Sequence, residues 1–162
     1  MAAAATVVLH KNNKAMKTVF DESTVNELTG RISALSPASG AIWGKMNVYQ
    51  MLKHCTMNEE MFLGKKEYKR LFIGRLFGKM TLNGMLKDSS PIKQNQPTHP
   101  ALKITGTGDV EQEKNKWIAL LQDYKSYRTP QLMHPFFGLM TRAQVGECAY
   151  KHIDHHLRQF GK

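Results

Sequence analysis

Apolar residues recur at three- and four-residue steps in four separate stretches of this chain, each preceded by a residue able to cap a helix. Such a pattern gives each stretch one apolar face, which must be buried against a neighbouring element. Val25, Leu28, Ile32 and Leu35 form the first stripe, with Asp21 or Ser23 as cap and Ser36-Pro37-Ala38-Ser39-Gly40 as the break. Asn47 can cap a second helix from Val48 to Leu63, with Met51, Leu52, Cys55, Met61 and Phe62 on its buried side and Gly64 as its stop. Asp109 caps a third, ending near Tyr127, which places Trp117, Leu120, Leu121 and Tyr124 together before Arg128-Thr129-Pro130. Thr141 and Gln144 make a capping box that opens a fourth, running to Phe160. Four long helical segments and no convincing strand predict an all-α fold, a four-helix bundle.

The stretch between the second and third helices, residues 65–108, is less regular. Tyr68 to Met80 reads as a short helix, and Leu82 to Thr107, with Pro91 and Pro97, as a long loop. Together they serve as a partly irregular crossover connection. His134-Pro135-Phe136-Phe137-Gly138 reads as an apolar connector. With 162 residues and no internal repeat, the chain is expected to form one domain over residues 17–162, preceded by a flexible extension over residues 1–16. Ala2 to Leu9 is apolar but lacks a cationic lead and a cleavage site, so it makes a poor signal peptide, and Met16 could begin the folded part. No stretch reaches 18 apolar residues, the length of a membrane span. Cys55 and Cys148 are expected to be free thiols in a reducing, cytoplasmic setting.

Twenty-three Lys and Arg against 13 Asp and Glu give a formal net charge of +10. An excess of that sign raises nucleic acid, an anionic membrane surface or an acidic small molecule as partners. The densest basic patch is Lys65, Lys66, Lys69, Arg70, Arg75 and Lys79. Its aromatic residues, Tyr68, Phe72 and Phe77, fall at helix-like spacing with Leu71, Leu76 and Met80, which suits packing better than base stacking. The patch therefore reads as a solvated face. The expected partner is a small molecule, with neither nucleic acid nor membrane engaged.

The strongest chemical signal lies in the last helix. His152 and His156 are four residues apart and project from one face, the spacing that lets two imidazoles share a metal. His155 lies about 60° from His152 around the axis, where it can orient a ligand or meet solvent. His54, within Tyr49-Gln50-Met51-Leu52-Lys53-His54-Cys55, is a third candidate, balanced against a core histidine bonded to a carbonyl. Ile153 stands where the metalloprotease pattern would have Glu, and Asp154 lies about 200° from His152. Glu59 and Glu60 lie about 140° and 120° from the His54 direction, so no local carboxylate is placed as a general base. The neutral Gln50, Asn58 and Gln159 suit hydrogen bonds to ligands or substrate. Cys148, one turn before His152, is either a fourth ligand or a buried thiol.

His152-Ile153-Asp154-His155-His156-Leu157-Arg158-Gln159 resembles the HxxHHRGQ-type signature of the DinB/YfiT-like superfamily. Trp43-Gly44-Lys45-Met46-Asn47, followed by Gln50-Met51-Leu52-Lys53-His54, resembles that family's Trp and first-histidine helix. His134-Pro135-Phe136-Phe137-Gly138 and the closing His-His-Leu-Arg-Gln-Phe-Gly resemble an uncharacterised branch of it. The resemblance implies a four-helix bundle, often dimeric, holding a divalent metal on His54, His152 and His156. It implies thiol-dependent S-transferase or hydrolase-like chemistry, with zinc or nickel and a low-molecular-weight thiol or water at an open position. Leu157-Arg158-Gln159 departs from the family's Arg-Gly-Gln, which touches substrate assignment rather than the ligand set. The alternatives are a non-enzymatic, stress-associated binding protein and an inactive bundle whose metal is structural or absent.

Overall fold

The computed structural model describes residues 16–162, so the expected N-terminal extension lies almost wholly outside the described residues. Five α-helices are formed: α1 (Glu22–Ser33), α2 (Val48–Phe62), α3 (Phe72–Met85), α4 (Val110–Asp123) and α5 (Arg142–Gln159). Two strands, β1 (Gln131–His134) and β2 (Gly138–Thr141), and two short 3-10 turns, Pro100–Leu102 and Tyr124–Ser126, complete the described elements. The helices begin where capping chemistry dictates. Asn47 and Gln50 form a reciprocal box at α2, each side chain accepting the other's backbone N–H, at 2.9 and 3.1 Å. Thr141 and Gln144 do the same at α5, at 3.3 and 3.0 Å. Asp109 accepts the Gln112 N–H at 2.9 Å.

The architecture is mixed α/β, which corrects the expected all-α four-helix bundle. The His134–Gly138 connector is the turn of an antiparallel hairpin, paired from Gln131 with Thr141 to His134 with Gly138. Its strands have four residues each, and of the two only β2 shows an alternating burial pattern. A period-two signal that short cannot be told from an irregular apolar run in the sequence. The turn is fastened by His134, whose Nδ1 accepts the backbone N–H groups of Phe136 and Phe137, both at 3.1 Å. The short helix expected over Tyr68–Met80 starts later and runs further, as α3, so residues 82–85 belong to a helix rather than a loop.

α1 and α2 each pack against both α4 and α5, while α3 lies on the hairpin strand β2. The core includes Leu28, Ile32, Met51, Leu52, Phe62, Trp117, Leu121 and Ile153, all essentially inaccessible. Burying each such side chain contributes roughly 1.5–3 kcal/mol. Glu59 is buried among them; Tyr124 Oη donates to its carboxyl at 2.5 Å, and burial raises its pKa to about 8. Lys151 ties the crossover to α5. Its ammonium donates to the carbonyls of Met85, Asp88 and Ser90 at 2.6, 2.6 and 2.9 Å, at and just past the C-terminus of α3.

The seat of α3 on the hairpin depends on two glycines. A Cβ at Gly74 would stand 2.5 Å from the Phe136 carbonyl oxygen, and one at Gly78 only 1.9 Å from it. The obstacle is backbone, which cannot rotate aside. Gly78→Ala is expected to lower stability by roughly 1–3 kcal/mol, the usual cost of overpacking, as read from urea unfolding midpoints.

Candidate metal centre

α2 and α5 pack against one another so that His54, His152 and His156 face a common point. Their candidate ligand atoms all lie within 4.8 Å of one another, and the three ring centroids are 4.7–5.2 Å apart. His54 and His156 are buried, and His152 is partly exposed. This is the ligand set carried by the sequence resemblance, and the packing of two helices distant in sequence brings it together. His54 Nε2 and His152 Nε2 are 3.1 Å apart. Two nitrogens on one tetrahedral zinc, each at about 2.0–2.1 Å, would stand about 3.3 Å apart, so the spacing fits a shared ion.

Hydrogen bonds behind the rings set their tautomers. The ring nitrogen His54 Nδ1 lies 2.9 Å from the carbonyl oxygen of Leu102. A carbonyl only accepts, so the proton sits on Nδ1 and the lone pair on Nε2. His156 is fixed through one more link. The carbonyl of Trp43 accepts from Gln159 Nε2 at 2.9 Å, which turns Gln159 Oε1 toward His156 Nδ1, also at 2.9 Å. That oxygen accepts the Nδ1 proton and leaves Nε2 with its lone pair. Such outer partners orient imidazoles and increase their basicity as metal ligands. His152 Nδ1 is buried without a partner.

Electrostatics keep the donors neutral. Burial, with the neighbouring histidines adding to it, holds His156 down to about 3 and His152 well below the ordinary imidazole range. Burial also lowers His54. Three neutral imidazoles suit zinc, nickel, copper or iron.

The other expected site residues separate. Gln159 serves as the partner of His156, as described. Asn58 Nδ2 donates to the His54 carbonyl at 2.9 Å and lies 3.2 Å from His54 Nε2, at the edge of the site. Gln50 is withdrawn from it: its Oε1 serves the capping box, and its Nε2 donates to the Gly106 carbonyl at 3.1 Å. Cys148 is buried in the core outside the three-histidine group, and burial pushes its thiol well above the ordinary range, so the fourth-ligand reading is corrected to a core thiol. His155 packs edge-on against Trp43 and His156 and reaches the Ile92 carbonyl at 3.3 Å. Leu157, at the departure from the resembled signature, is fully buried in the core, and Arg158 is exposed.

Three contributors were missed in the sequence. The carbonyls of Leu102 and Trp43 are backbone groups, invisible to residue type; the only signal was local, His99-Pro100 opening a 3-10 turn and Gly44 after Trp43. Gly44 is required twice, since its φ is +81° and a Cβ there would lie 2.5 Å from Gln159 Nε2. The third is His134, which was read as part of an apolar connector. It is buried in the hairpin turn, and burial holds it down to about 3.

A family model described as "Protein of unknown function (DUF1569)" matches residues 15–162. No curated protein and no solved structure matches the chain.

These histidines stay neutral in the folded chain but titrate near 6.5 when unfolded. The unfolded state thus binds more protons between pH 6.5 and 3, and stability falls as pH drops through that window. In chelator-treated protein, His134 and His156 should each withdraw about 1.4 kcal/mol per pH unit below 6.5, partly offset by Glu59, whose raised pKa acts in the opposite sense. Urea midpoints measured from pH 7 to 5 should therefore decline, and His134→Gln should flatten the decline.

Proposed function

The chain belongs to that family of unknown function, so its chemistry has to be read from the site, and we propose that it is a metal-dependent enzyme. Its three histidines would hold zinc or nickel, and its reaction would be thiol-dependent S-transfer or a hydrolysis. The observation that carries this reading is the pair of forced tautomers. Leu102 O and Gln159 Oε1 take the Nδ1 protons of His54 and His156, which leaves two Nε2 lone pairs facing the metal position.

The resemblance to DinB/YfiT-like proteins, given by the Trp43–His54 and His152–Gln159 segments, points the same way. A divalent ion bound by three protein ligands retains an open position, where it lowers the pKa of a bound thiol or water. The protein's own residues fit a supporting role. Glu60 is paired with Lys116 at 2.7 Å, and Glu59 is enclosed by the core, so neither is offered as a general base. The Asn58 amide stands beside His54 Nε2, within hydrogen-bond reach of a ligand held there.

Elemental analysis of tag-free protein should give about one zinc or nickel per chain, and none in His54→Ala. Gln159→Leu should keep the fold and weaken metal affinity about 10–100-fold, the usual cost of losing such a partner. Wild type that takes up neither metal on dialysis overturns the reading. So does metal-loaded protein that turns over no thiol with an electrophile and no ester or amide, which would make the ion structural.

A further inference from the structure

The metal centre leaves the most unusual surface of the molecule unused. On α3, Phe72, Ile73, Leu76, Phe77 and Met80 are all exposed, three of them by more than 60% of their surface. At 100° per residue they occupy one arc of about 140°, opposite the Gly74–Gly78–Leu82 face that meets the hairpin. A helix of 14 residues is about 21 Å long, and five large apolar side chains along it form a ridge of the kind that marks a protein or membrane contact.

Beside the ridge is a cavity of about 310 Å³ whose walls include Arg70, Arg75, Lys79, Gln131 and Thr141. No carboxylate lines it, and α3 contains none. Arg70 Nε is buried there without a partner. Lys69 immediately precedes Arg70, while Lys65 is neutralised by its ion pair with Asp123.

We propose that α3 and this cavity form a docking surface for an anionic phospholipid membrane: the ridge enters the interface, and the three cations take lipid phosphates. The charge pattern selects this occupant. A second copy seated on the ridge would bring two acid-free helices and two chains of net charge +10 together. A basic helix whose apolar side chains project outward is the form that lies in a bilayer interface rather than crossing it. Among the described residues no helix is long and apolar enough to span a membrane, so the contact is peripheral. The proposal departs from the sequence expectation that no membrane is engaged, which rested on the lack of a membrane span.

The full-length protein should co-float with vesicles of phosphatidylcholine and phosphatidylglycerol at 100 mM salt, and at least ten-fold less with phosphatidylcholine alone. Phe72→Ala/Leu76→Ala/Phe77→Ala and Arg75→Gln/Lys79→Gln should each lose ten-fold or more of the binding. The altered side chains are exposed, so both should retain the wild-type helical circular dichroism. Equal binding to both vesicle types, no binding by wild type, or a stable dimer that the triple variant dissociates would each overturn the proposal.

Discussion

Two backbone carbonyls, those of Leu102 and Trp43, fix the protons of two histidines in the three-histidine group. Each can only accept a hydrogen bond, so each dictates where a proton sits several bonds away. Leu102 acts on His54 directly, and Trp43 acts on His156 through the Gln159 amide. The consequence is two Nε2 lone pairs facing one point. Burial supplies the other half of the effect, because desolvation keeps the rings uncharged and available as ligands. The three-histidine group includes no carboxylate, and the two glutamates of α2 are committed elsewhere: Glu59 to Tyr124 in the core and Glu60 to Lys116 at its edge.

The crossover between α2 and α4 is therefore more than a connection. Its 3-10 turn brings Leu102 to His54, and its first half is α3, held by the glycine contacts to Phe136 and by the Lys151 ammonium. The hairpin that receives α3 is in turn closed by His134. The segment that looks least regular in the sequence fixes the proton of His54 through Leu102 and also carries the exposed apolar face of α3.

Much of the helical framework was legible because it rests on local signals. The Asn47–Gln50 and Thr141–Gln144 capping boxes and the Asp109 cap act within three residues of one another, and α2, α4 and α5 start beside them. The hairpin was not legible, since its strands are four residues long and its turn is secured by a histidine that looks apolar in context. The far end of α3 was also missed: Asn83 and Gly84 are poor helix formers, and burial of Leu82 with the Lys151 bond to the Met85 carbonyl stabilises what propensity does not.

By itself, the sequence determined the helix starts, the placement of His152 and His156 on one face, and the +10 charge, because periodicity, capping and composition are local or additive properties. Local pattern left His54 balanced between the site and the core, and the tertiary structure brought it to the pair; only the tertiary structure decided that Gln50 and Cys148 stand apart, and that the exposed side of α3 is apolar. Those outcomes depend on which faces of distant segments are buried against each other, and on carbonyl groups that every residue carries and no residue type reveals.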